Sequence, residues 1–228
     1  MVYKWCNTRV KENKLKITDE VFQIDGTDFS HAFLIRGEKN YLVDTGVPGL
    51  SEKILEKIRN IGVEPGEIAA ILLTHNDIDH MGNAKKLKDA TGAQVWAPAE
   101  DAGSVQGKAH RKGIKRLFEM FMKVQPVEVT GVYGDEFPFD EIKVIPAPGH
   151  TEGHTFFQYK NVVLAGDLLQ CSKGKPTFVT SLLNLNFALA KKSVSKLNEL
   201  DYEWICPAHG EPTKNTESFQ KQLQELLK

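Results

Sequence analysis

Cysteine is scarce in this 228-residue chain, with three residues at positions 6, 171 and 206. An odd number at wide spacing argues against a disulfide framework and fits a reducing, cytoplasmic setting. No apolar run approaches the ~18–20 residues of a spanning helix, so no membrane association is expected. The first ten residues carry no apolar stretch of the length a secretory signal needs. A trimmed extracellular protein is the alternative. Charge of one sign is also missing: the formal net charge is −1, which removes any global attraction to nucleic acid or anionic membrane. There is no Gly-x-Ser-x-Gly elbow for a serine nucleophile. Repeats, low-complexity tracts and Ser/Gly-rich linkers are absent too. What is present is ordinary for a globular chain, 41% hydrophobic and 26% charged. The length suits one core, so residues 1–228 are read as a single domain.

Short apolar runs at Val21–Ile24, Ala32–Ile35 and Tyr41–Val43 read as strands, the last leading into Asp44-Thr45-Gly46. Ser51 reads as an N-cap, and Ile54, Leu55, Ile58 and Ile61 repeat at helical spacing up to Gly62. The continuous apolar run Ile68–Thr74 is a buried strand that ends at His75-Asn76-Asp77-Ile78-Asp79-His80. Gly82-Asn83 opens a second helix, and Gln94–Ala97 is another strand. In the second half, Ile142–Ile145 precedes Pro148-Gly149-His150, and Phe156–Tyr159 with Val162–Ala165 forms a hairpin ending in Gly166-Asp167. Helix is expected over Ser193–Leu200, then a short strand, Trp204–Cys206, ending in Pro207-Ala208-His209-Gly210, and a terminal helix over Glu217–Leu227. Strand–helix alternation in two halves predicts an α/β chain with two sheets face to face and helices outside.

His75, Asp77, Asp79, His80, His150, Asp167 and His209 are all residue types that hold divalent metals, and each lies at or just past a strand-like run. A loop turns several such side chains into one cavity, where a helix would scatter them over several faces. The hexapeptide alone also reads as a polar turn with Asp79 capping the helix that follows. Three more ligand types at strand ends, each beside a small residue, favour a crowded ion site. Two metals ~3.5–4 Å apart need such a set of imidazoles and carboxylates. Cys171 and Cys206 read as core residues rather than nucleophiles.

Taken in order, Asp-Thr-Gly at 44–46, the hexapeptide at 75–80, Pro-Gly-His-Thr-x-Gly-His at 148–154, Gly-Asp at 166–167 and Pro-x-His-Gly at 207–210 resemble the metallo-β-lactamase-fold hydrolase superfamily over residues 20–212. The resemblance implies an αββα sandwich with two metals at one edge of the sheets. It implies that His75, His150 and the residue at 77 hold the first metal. Asp79, His80 and His209 hold the second, and Asp167 bridges. Asp44 would orient ligands through hydrogen bonds. Asp79 would also take the nucleophile's proton. His154, Thr151 and Thr74 read as structural.

The sequence departs from the resemblance at one position. Position 77 carries Asp where the usual hexapeptide carries a second His, which adds a negative charge and a hard oxygen donor. Zinc is the first expectation for the two divalent ions, and the carboxylate admits iron or manganese. Asp77 either ligates, falls short of the metal, or leaves the first site weak.

Residues 104–124 carry Lys108, Arg111, Lys112, Lys115, Arg116 and Lys123 against Glu119, with Leu117, Met120, Phe121 and Val124 at helical spacing. A basic amphipathic, lid-like helix is expected near 104–124, the alternative being a solvated face. Lys108, His110, Arg111 or Lys112 would meet an anionic group on a small-molecule substrate, and His31 could line the rim. The leading expectation is a metal-dependent hydrolase that cleaves a small ester, lactone or thioester with a metal-bound hydroxide. The alternatives are a phosphodiesterase or nuclease, and a non-catalytic regulator with an impaired first site. Oligomeric state is not legible.

Overall fold

Strand β2 (Phe33–Arg36) turns Phe33 and Ile35 to one side and Leu34 to the other, the two-residue period of a sheet buried on both faces. Strand β3 (Asn40–Val43) does the same with Tyr41 and Val43 against Leu42. The computed structural model describes residues 16–24, 26, 27, 29–122, 124–134 and 137–228. The N-terminal signal reading and Cys6 lie outside these residues.

The first sheet continues with β4 (Ile68–Leu72), β5 (Gln94–Ala97) and β6 (Gly131–Val132), after β1 (Val21–Gln23) at its start, in the order β1-β2-β3-β4-β5-β6. Pairing is antiparallel from β1 to β3 and parallel from β3 to β6. The second sheet holds β7 (Lys143–Pro146), β8 (Thr155–Tyr159), β9 (Val162–Ser172), β10 (Lys175–Phe178), β11 (Trp204–Gly210) and β12 (Thr213–Lys214). Its order is β12-β11-β9-β8-β7, with β10 also on β9.

Three apolar clusters define the layers. Phe33, Tyr41, Leu72 and Trp96 of the first sheet meet Phe157, Tyr159, Leu164 and Cys206 of the second. The outer face of the first sheet packs Leu34, Leu42 and Ile71 on Ile54, Leu55 and Ile58 of α1 (Ser51–Asn60) and Leu87. The outer face of the second packs Phe156, Val163 and Ile205 on Ala190 and Val194 of α6 (Phe187–Ser195) and on Phe219 and Leu223 of α7 (Glu217–Leu227). The result is two mixed sheets face to face with helices outside, as expected from the sequence.

Between β4 and β5 lie the short α2 (Ile78–Met81) and α3 (Ala84–Thr91), the latter ended by Gly92 at φ 72°. After β5 come α4 (Ala99–Val105) and α5 (Lys115–Phe121). Of the helix expected near 104–124 the structure holds only α5, after an irregular stretch that follows the end of α4 at Val105. Its polarity is reversed as well: Arg111 and Lys115 are buried, while Leu117, Phe118, Met120 and Phe121 are exposed. Ser51 is the first residue of α1 rather than its cap. Helix α6 starts at Phe187, ahead of the expected Ser193, because Asn186 caps it by accepting from the Leu189 amide.

Candidate metal centre

Two strand ends and two points within strands deliver the seven candidate ligands. His75 follows β4 and His150 follows β7. Asp167 and His209 lie within β9 and β11, which run past the ends expected from the sequence. Strand β9 pairs with β8 before Gly166 and with β10 beyond it, and the β9–β11 register shifts at Pro207 opposite Gly166. Gly166 has φ 51°, and a side chain there would strike His154 Nε2 at 2.4 Å.

The donor atoms converge in two groups, each with its members within 4.8 Å of one another: His75, Asp77, His150 and Asp167, and then Asp79, His80, Asp167 and His209. Asp167 belongs to both. Its Oδ2 lies 3.4 Å from His150 Nε2 and 3.1 Å from His209 Nε2, and its Oδ1 lies 3.0 Å from His80 Nε2. Asp77 Oδ2 is 3.4 Å from His75 Nε2 and 3.0 Å from His150 Nε2.

Each imidazole is aimed by the nitrogen that faces away. His80 Nδ1 donates to Asp44 Oδ2 at 2.8 Å, and His209 Nδ1 donates to the Phe29 carbonyl at 2.5 Å. His150 Nδ1 donates to Asn184 Oδ1 at 3.3 Å, and His75 Nδ1 to Thr74 Oγ1 at 3.0 Å. All four Nε2 atoms then face the donor clusters. Asp44 accepts from the Thr74 amide at 2.8 Å and the Thr74 hydroxyl at 2.7 Å, so one carboxylate steadies both ends of the hexapeptide. His154 accepts from the Asp167 amide at 3.0 Å and so positions Asp167.

Several partners escaped the sequence reading. Asn83 Nδ2 donates to the Thr45 and Val47 carbonyls and its Oδ1 accepts from Gly49 and Leu50, tying the Asp-Thr-Gly loop to the start of α3. Asp101 Oδ2 accepts from the Asn76 amide and the Thr151 hydroxyl, and its Oδ1 from the Gly153 amide. It therefore joins the hexapeptide to the His150 loop. Burial raises the Asp101 carboxyl to about 6 against these hydrogen bonds, with Asp77 adding to the rise. Lys115 Nζ pairs with Asp77 Oδ2 at 2.6 Å and donates to the His150 carbonyl at 3.2 Å. Burial pushes Asp77 up, but Lys115 and then His75 outweigh it and hold the carboxyl well below the usual range. Asp167 behaves alike, with burial opposed and overcome by His80 and His209. No motif of short span signals these partners, since each acts on residues distant in the chain.

The donor set fits divalent cations. His75 Nε2, Asp77 Oδ1 and Asp167 Oδ1 are buried and make no hydrogen bond, although buried polar atoms are almost always paired. Lone pairs that face one another without a proton between them are what a cation satisfies.

Above the donors lies a cavity of about 720 Å³. Phe29, Val47, Pro48, Phe118, Met122, Val179 and Leu183 wall it, and Asp77, Asp79, His150, Asp167 and His209 line it with Arg111 and Lys115. Of the residues expected to meet substrate, Arg111 alone lines this cavity. Its guanidinium is engaged, with Nε donating to the Asn76 carbonyl at 2.7 Å and Nη1 3.4 Å from Glu119. Lys108 bonds Gln106, exposed His110 faces Glu119 at 3.4 Å, and Lys112 pairs with Glu152. His31 is buried against the Gly210 carbonyl at 2.8 Å. Cys171 and Cys206 are buried thiols pushed up by that burial, the first to about 11. Among the described residues no helix is long and apolar enough to cross a membrane.

Comparison with known proteins shows the family and the fold. The chain is 27% identical over 203 residues to the probable metallo-hydrolase YybB of Bacillus subtilis, covering 84% of this chain and 85% of that protein. It is 30% identical over 141 residues to the hydroxyacylglutathione hydrolase GloC of Haemophilus influenzae, covering 58% and 62% respectively. A B3 metallo-β-lactamase with an active-site glutamic acid superposes with a TM-score of 0.70 at 20% identity, over 96% of this chain and 93% of that one. A Cronobacter sakazakii metallo-β-lactamase with a HARLDQ motif gives 0.68, again at 20%, over 85% and 79%. At that identity the solved structures speak for the fold. The model of the metallo-beta-lactamase superfamily matches residues 25–209, a span that holds all seven donors, and the chain belongs to that superfamily of metal-dependent hydrolases.

Proposed function

We propose that this protein hydrolyses a small ester, lactone or thioester at a two-metal centre. The observation that carries this reading is the sharing of Asp167 between two donor groups in which His75 Nε2, Asp77 Oδ1 and Asp167 Oδ1 are buried without a hydrogen bond. His75, Asp77 and His150 would hold one ion, Asp79, His80 and His209 the other, and Asp167 both. Divalent cations bound there supply Lewis acidity toward a carbonyl oxygen and a water acidic enough to attack near neutral pH. Zinc suits the imidazoles, and Asp77 admits iron or manganese.

The chain's own residues do the rest. Asp79 lines the cavity beside the other donors, so it is placed to take the proton that the attacking water gives up. Asp44, through His80, and Phe29, through His209, hold the imidazoles in one tautomer. Engagement of Arg111 and Lys112 leaves little free cation for a phosphodiester, which favours the carbonyl substrates.

The test is elemental analysis of protein purified without chelator, followed by a panel of esters, lactones, thioesters and bis-nitrophenyl phosphate. Metal with carbonyl-substrate turnover is expected. Turnover of the phosphodiester alone would replace this reading with a nuclease one. Less than one ion per chain with no turnover would indicate a non-catalytic protein.

A further inference from the structure

Helix α5 and the stretch just before it are built inside out. Arg111 and Lys115 enter the protein, whereas Met120 is 69% exposed and Phe121 84%. Neighbouring Phe118 and Met122 are exposed and also wall the cavity, as does Phe29 across the opening, 68% exposed. Leu183 completes that wall, with exposed Leu182 beside it. Apolar side chains therefore wall the cavity beside the donor atoms and continue onto the exposed rim. Patches of this kind on a soluble chain mark a ligand groove or an interaction surface. The two cations that line the cavity are already committed, Arg111 to the Asn76 carbonyl and Glu119, and Lys115 to Asp77 and the His150 carbonyl. Nothing along this path calls for a charged substituent.

Resting on the hydrolase reading, we propose that the acyl group of the substrate is an extended apolar chain. Its carbonyl sits over the donor clusters, and its chain runs between Phe29, Phe118, Met122 and Leu183 to the rim. Helix α5 is then one wall of an acyl groove, anchored beside the candidate donors by its own Lys115 and by Arg111 just before it.

The experiment has a kinetic arm and a binding arm. The kinetic arm measures kcat/KM of the metal-loaded protein on 4-nitrophenyl esters and matched acyl thioesters from two to ten carbons. The binding arm measures calorimetric affinity for the straight-chain carboxylates from acetate to decanoate. Both should rise by about two- to fourfold per methylene up to the length of the groove. The double variant Phe118→Ser/Met122→Ser, altered only at exposed positions, should flatten both slopes. Turnover that is flat with chain length, with flat carboxylate binding, overturns the inference and leaves the hydrolase reading standing. Sloped binding without turnover of any ester keeps the groove and sinks the hydrolase reading. Self-association that buries Phe121, with flat carboxylate binding, also overturns it, because the patch then belongs to a second copy.

Discussion

Lys115 Nζ lies 2.6 Å from Asp77 Oδ2, and both side chains are buried beside His150. Asp77 adds a negative charge where the usual hexapeptide has a neutral imidazole, and Lys115 cancels it. A buried pair of this kind costs about 3–5 kcal/mol when one partner alone is removed. In metal-stripped protein, Lys115→Met and Asp77→His should each lower the urea-unfolding free energy by roughly that much. The double variant should recover most of the loss, because no charge is then left unpaired. Additive losses in this cycle would show that the pair is not coupled.

Asp167 offers one oxygen toward His80 and the other toward His150 and His209. Removing it should disturb both donor groups at once. Asp167→Ala is expected to lose metal from both sites together with ester turnover. Elemental analysis that returns the wild-type metal content would contradict the bridging role.

The candidate donors can be picked out in the sequence because the hexapeptide leaves a strand-like run, and His150, Asp167 and His209 each sit beside a small residue at the end of another. Helices α1 and α7 were legible from 3.6-residue spacing, and Gly92 closed α3. Strand β10, Lys-Pro-Thr-Phe, was not, since a short edge strand with Pro carries little apolar pattern. The orientation of α5 was also beyond reach. Apolar spacing predicts that Leu117 and Phe121 turn inward, but the charge of Asp77 draws Lys115 in, and periodicity is blind to a partner on another loop. Asp101 looked like any acid in the first turn of a helix. Its three donors come from two distant loops.

Asp101 should leave a mark on the pH dependence of stability. Its folded value of about 6 lies above the ordinary 3.8, so its contribution is fully present below pH 3.8 and is lost as pH rises through about 6. The two-unit rise corresponds to about 3 kcal/mol. Unfolding free energies of metal-stripped wild type minus Asp101→Asn should therefore fall by about that amount between pH 4 and 7. Taking the difference removes the other carboxylates that titrate in this window. A difference that is constant with pH would mean that folding leaves the Asp101 carboxyl at its unfolded value.

Asp44 sits at φ 56°, a conformation that Asn tolerates better than most side chains, so Asp44→Asn perturbs hydrogen bonding more than backbone. One Asp44 oxygen accepts from the Thr74 amide, and the other accepts from the Thr74 hydroxyl and His80 Nδ1. An amide has only one oxygen, so in either orientation its NH2 meets a donor. If it faces His80, the imidazole loses the bond that fixes its tautomer. If it faces the Thr74 amide, the start of the hexapeptide shifts. Both outcomes weaken the grip of His80 while leaving every ligand in the chain. Metal affinity should fall by about 10–100-fold, as measured by competition with a chromophoric chelator. Unchanged affinity would mean that His80 is held by packing alone, with Asp44 serving only the backbone of Thr74.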